Sequence, residues 1–60
     1  MDRNKEIVKY IKQETVVTSS ELAKQLSVSW NTAEKYLMEL ALDGVVRRFK
    51  KSGVNIWLLK

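Results

Sequence analysis

Four basic residues fall within five positions, Arg47-Arg48-Phe49-Lys50-Lys51, and no acid follows them before Lys60. Upstream, Asn31 and Lys35 stand four residues apart, so a helix would put them on one face. A side-chain amide carries a donor and an acceptor side by side and can pair with the edge of a planar base. Lysine and arginine neutralise phosphate. Together these groups have the chemistry of an electrostatic footprint for a polyanion.

The charge distribution sharpens this. The chain is 60 residues long with a formal charge of +4. Residues 1–46 hold six Lys/Arg against seven acids, whereas residues 47–60 hold five Lys/Arg and no acid. All the excess positive charge therefore lies in the last 14 residues. A charged hairpin edge that blocks strand-to-strand aggregation is the plainer explanation of the same cluster.

Covalent chemistry is poorly served. There is no cysteine and no histidine, so the commonest soft nucleophile and the commonest general base are missing. The carboxylates are scattered and form no motif. No catalytic residue is assigned and no enzyme is expected. Neither metal nor other cofactor is expected, since zinc sites without Cys or His are rare. No apolar run approaches the ~18 residues of a membrane span, and the polar N-terminus leads into no signal-like stretch. The reading is of a soluble chain, cytoplasmic (beside the nucleoid in a prokaryote) or otherwise intracellular. No membrane association and no small-molecule ligand is expected.

The elements that must carry these groups are legible from periodicity and caps. Helix 1 is predicted over about 2–13, with Ile7, Val8 and Ile11 at helical spacing and Asp2 near the start, where the macrodipole favours an anion. A β-branched strand is expected over 15–18. Thr18-Ser19-Ser20-Glu21 has the capping-box pattern, opening helix 2 over about 19–26. Ser29 is a good N-cap for helix 3, about 30–43, and Gly44 is its expected terminator. A hairpin follows over 45–59. If Ser52-Gly53 is a two-residue turn, Lys50 faces Asn55, Phe49 faces Ile56 and Arg48 faces Trp57, so that Arg48 could lie on the Trp57 ring. Phe49 and Trp57 are both expected in the core, with base or sugar contact as the alternative. The fold class is α+β, a three-helix core with a C-terminal two- to three-stranded antiparallel sheet, in one domain over 1–60.

Residues 18–46, TSSELAKQLSVSWNTAEKYLMELALDGVV, resemble the helix-turn-helix core of winged-helix transcriptional regulators. Leu22, Leu26, Val28, Ala33 and Tyr36 fill that family's apolar positions, and Ala23 the small one where its helices cross. Ser29–Thr32 resembles its S-x-x-T helix start, and Leu37, Leu40 and Gly44-Val45-Val46 its ending. One departure stands out: Ser27 occupies the turn position where glycine is usual, and a left-handed serine there costs about 1 kcal/mol.

The resemblance implies a partner, double-stranded DNA, and a site. Helix 3 would enter the major groove with Trp30, Asn31 and Thr32 foremost and Lys35 a turn later. Trp30 would touch thymine methyls and sugars, or else staple helices 2 and 3. Ser19 and Ser20 would add hydroxyls at the helix 2 start for a phosphate. The wing would bring Arg47, Arg48, Lys50, Lys51, Ser52 and Asn55 to phosphates or the minor groove. Glu34 and Glu39 would repel phosphates if they faced them. The implied role is transcriptional regulation, as a repressor-like module. RNA binding by the same surface, and protein binding anchored on Trp30, Met38 and Leu42, are the alternatives. A homodimer reading two half-sites, through Met38, Leu42 and helix 1, or fusion to a larger regulator would add affinity to so small a domain.

Overall fold

A computed structural model describes residues 3–60, so the expected role of Asp2 at the first helix lies outside the described residues. The chain runs α1 (Arg3–Glu14), β1 (Val16–Thr18), α2 (Ser19–Leu26), α3 (Trp30–Leu42), β2 (Val46–Lys51) and β3 (Val54–Leu59). The three strands form one antiparallel sheet in the order β1-β3-β2.

Local chemistry sets each boundary. α1 buries Ile7 and Ile11, one turn apart, and ends at Thr15, whose left-handed backbone (φ 75°) sends its N–H to the Ile11 carbonyl at 2.7 Å. Both halves of the capping box are made at α2. The Glu21 N–H donates to Thr18 Oγ1 at 3.1 Å, and the Thr18 N–H donates to Glu21 Oε1 at 2.8 Å.

α2 closes in a Schellman arrangement. The Val28 N–H reaches the Ala23 carbonyl at 3.0 Å and the Ser27 N–H reaches that of Lys24 at 3.3 Å. Ser27 is left-handed there, with φ 56°, the strained serine the sequence implied. α3 repeats the arrangement with the favoured residue. Gly44 has φ 77°, and the Val45 N–H meets the Leu40 carbonyl at 2.9 Å.

The hairpin turn has positive φ at both Ser52 (51°) and Gly53 (78°), as a two-residue type I′ turn requires. Its register is the one expected for that turn: Arg48 opposite Trp57, Phe49 opposite Ile56, Lys50 opposite Asn55.

A strand alternates its faces, so this register sorts the sheet. Val17, Val46, Asn55, Trp57 and Leu59 point inward, toward the helices, and Arg48 and Lys50 continue that face along β2 beyond the core. Val16, Arg47, Phe49, Lys51, Ile56 and Leu58 point the other way. The core closes on Trp57, fully buried among Ile7, Ile11, Val17, Leu22, Leu37 and their neighbours. Phe49 does not join it. It is 47% exposed on the outer face, because the register that buries Trp57 in the adjacent pair turns Phe49 outward.

Among the described residues, two of the three left-handed side-chain-bearing residues terminate helices, and relief of their strain is measurable. Ser27→Gly should raise stability by about 1 kcal/mol. Thr15→Gly should gain at least as much, since a β-branched side chain suffers more in this region. Urea unfolding of each variant against the parent checks both; unchanged or lower midpoints would count against the strain.

Candidate nucleic-acid interface

α2, α3 and the wing converge on one cleft of about 310 Å³. Its walls are Thr18, Ser19 and Ser20 at the start of α2, Trp30 at the start of α3, Lys50 from β2, and Gly53, Val54 and Asn55 from β3. The start of the third helix and the basic arm thus flank the same opening.

α3 is oriented by its cap and its buried side. Ser29 accepts the Thr32 N–H at 3.2 Å, and its hydroxyl donates to Thr32 Oγ1 at 2.9 Å. Ala33, Leu37 and Leu40 are buried. That leaves Asn31 and Lys35 exposed on the free side, and half of Trp30 open to solvent. Trp30 is therefore no buried staple between α2 and α3. Thr32 is half-buried, and its hydroxyl is tied to Ser29.

The wing is held to this helix by a chain of hydrogen bonds. The Trp57 indole N–H donates to Ser19 Oγ at 3.0 Å. The Ser19 hydroxyl in turn donates to one oxygen of the Glu34 carboxylate. The other oxygen accepts from Asn55 Nδ2 at 2.8 Å. β3, the start of α2 and α3 are joined through one acid. Among the described residues no buried side-chain polar atom is left unpartnered.

This relay revises several sequence expectations. Ser19 is 3% exposed and engaged on both sides, so its hydroxyl cannot serve a phosphate; it is a structural residue of the site. Ser20 is exposed at the cleft and remains available. Asn55 is half-buried and commits one amide hydrogen to Glu34. Glu34 itself is no free repelling charge but the acceptor that positions the wing. Sequence reasoning missed that role, although Glu34 lies near the apolar edge of the helical wheel, which hinted at a partly buried place.

The basic residues divide between two faces. Arg48 and Lys50 stand on the inner face with α3, and Arg48 Nη1 lies 3.8 Å from the Met38 sulfur. The expected stacking of Arg48 on Trp57 is not made, because the ring is sealed in the core. Arg47 and Lys51 lie on the outer face, and Arg47 stacks over Phe49 instead, 5.2 Å from the ring centre. Ser52 forms the exposed tip. The positive surface beside α3 is thus built from Lys35, Arg48 and Lys50, with Lys51 and Ser52 at the tip.

Comparison with known proteins adds a family. Residues 3–53 match the DeoR-like helix-turn-helix domain, from α1 through the wing turn. No curated protein matches the chain significantly. No helix among the described residues is long and apolar enough to cross a membrane.

The Glu34 relay makes a clear demand on stability. Glu34→Ala leaves the Ser19 hydroxyl and the Asn55 amide without their acceptor and should cost about 1–3 kcal/mol. Glu34→Gln, which keeps a carbonyl acceptor, should cost less. Chemical denaturation of both, beside the exposed control Glu39→Ala, measures this; a Glu34→Ala loss no larger than the control's would dismiss the relay.

Proposed function

The chain belongs to the DeoR-like helix-turn-helix domain family, which implies DNA-binding transcription regulation, and we infer that it reads duplex DNA with α3 in the major groove and the wing on the flanking backbone. The observation that carries this reading is the shared cleft. The starts of α2 and α3 and the inner, basic side of the wing open onto one surface, as a groove-reading helix with a flanking clamp requires.

Roles follow from exposure and chemistry. Asn31, exposed in the first turn of α3, offers its amide to a base edge, the bidentate geometry that suits adenine. Lys35 lies one turn further along the same face and meets a phosphate or a guanine edge. Trp30 supplies an apolar surface for sugars or thymine methyls at the mouth of the cleft. Ser20 and the free N–H groups of the α2 start bind a phosphate. Arg48 and Lys50 neutralise the backbone, and the Ser52-Gly53 tip is narrow enough for the minor groove. Arg47, turned to the other face, contributes field more than contact. Nothing in this arrangement performs a reaction: the helix recognises and the wing holds.

Two measurements test the assignment by fluorescence anisotropy on short duplexes. Log K should fall linearly with log salt, at a slope of about −0.9Z with Z about 4–6 phosphates; a flat salt dependence would reject the wing as a clamp. Asn31→Ala should lose about 1–3 kcal/mol on the best duplex and relax base preference at one position. Lys50→Ala should weaken all duplexes alike and lower the slope by about 1. Equal behaviour of the two variants would mean that α3 does not read bases.

A further inference from the structure

One flank of α1 carries charges that the cleft does not use. At about 100° per residue, Lys5, Lys9 and Lys12 fall within about 60° of one another on the helix. The acids of α1 lie elsewhere, Glu6 about 100° and Glu14 about 180° from Lys5. Lys5 with Lys9, and Lys9 with Lys12, are like-charge pairs at spacings that destabilise a helix. Among the described residues, none of the three ammoniums is held in a hydrogen bond or an ion pair.

Beside this row lies a groove of about 460 Å³, between α1, the end of α3 and the entry to β2. Val8, Leu40 and Val45 form its floor, the three lysines line one bank, and Asp43 stands on the other. A smaller hollow of about 230 Å³ shares Lys12 and continues past Ile11 to Leu58 and Leu59. Val8, Val45, Leu58 and Leu59 are half-buried, so the floor is open to solvent. From Lys5 to Glu14, α1 runs about 14 Å at about 1.5 Å per residue, or two to three helical turns. A second helix with apolar side chains at i, i+3, i+4 and i+7 spans about 11 Å and fits that length. The groove and the cleft have no lining residue in common.

Floor and bank together select the occupant. The lysines attract anions, and the floor rewards aliphatic side chains. A nucleic-acid backbone answers the charge but sets phosphates against Val8 and Val45. A wholly apolar helix answers the floor and leaves the cations unmatched. We propose that the groove along α1 binds an acidic amphipathic helix of a partner protein, its carboxylates along Lys5, Lys9 and Lys12 and its apolar stripe on Val8, Leu40, Val45 and Leu59. Asp43 makes the opposite edge of that helix neutral or basic. Binding also offsets the repulsion among the three lysines, so it stabilises the helix that forms the groove. The groove stands independently of any nucleic acid. Recruitment of the partner to DNA is a consequence that rests on the DNA-binding reading above, since the two surfaces share no residue.

NMR shift mapping of the full chain tests the groove. The probe is a synthetic helical peptide with Leu at i, i+3, i+4 and i+7 and Glu along one edge. Its controls are a scrambled peptide of the same composition and one with Lys in place of Glu. Amide shifts should appear at Lys5, Val8, Lys9, Lys12 and Val45 and not at Asn31 or Lys50. Both controls should bind at least about tenfold more weakly than the probe. K9Q/K12Q, at exposed positions, should weaken the probe about tenfold with an unchanged circular dichroism spectrum. V8T, which keeps the shape of the side chain and adds a hydroxyl, should weaken it as well. No shift at these positions with the probe at about 1 mM, or equal binding of the scrambled peptide, overturns the proposal. Full affinity in K9Q/K12Q overturns it too. Displacement of the probe by duplex DNA would assign the lysine row to phosphate, with the same consequence. A chain that binds the probe but no duplex would refute the DNA reading and uphold the groove.

Discussion

One carboxylate determines how the parts of this small domain are disposed. Glu34 accepts from Ser19 at the start of α2 and from Asn55 in the wing, and Ser19 in turn accepts from the indole of Trp57 at the centre of the core. A hairpin joined to a helical core by a few residues is otherwise free to sway. The relay removes that freedom by tying the wing's second strand to the helix beside it. The inner face of the wing is therefore already aimed at the cleft before any partner arrives, and less ordering entropy opposes binding.

The cost is an acid placed inside a surface whose other charged residues are basic. It is tolerated because both carboxylate oxygens are engaged, so the charge is turned inward and satisfied. The geometry also explains why Trp57 and not Phe49 serves the core. An indole buries a large apolar area and still needs a partner for its N–H. Ser19 supplies that partner on the inner side. A chain of 60 residues has few side chains to spend on a core, since one this short buries only roughly 60% of its unfolded surface. One tryptophan that packs, donates and connects takes over work that larger domains spread over several residues.

The sheet is where two demands meet. Its inner face must finish the core and then, beyond Val46 and Trp57, present cations beside α3. Its outer face carries Arg47 and Lys51 among apolar neighbours. Strand alternation makes this division unavoidable: a run of four basic residues interrupted by one phenylalanine cannot all face one way. Half of the wing's charge therefore lies on the side of α3 and half on the back of the molecule.

Much of this was legible in the residues alone. Capping patterns at Thr18 and Ser29, the glycine at 44, and the 3.6-residue spacing of Ile7, Ile11, Leu37 and Leu40 are local signals, and local hydrogen bonds and burial enforce them wherever the chain goes. The Ser52-Gly53 turn specified the register in the same way, and the cluster of charge in the last 14 residues marked the basic hairpin. What could not be read there was which partners distant residues would find. Ser19 with Glu34 and Trp57, Asn55 with Glu34, and Arg48 with Met38 rather than Trp57 are contacts between segments far apart in the chain. Their geometry depends on how helices and sheet cross, and a side chain's type states only that it can donate or accept. Packing alone decided that a serine expected at a phosphate is buried, and that an acid expected to repel holds the site together.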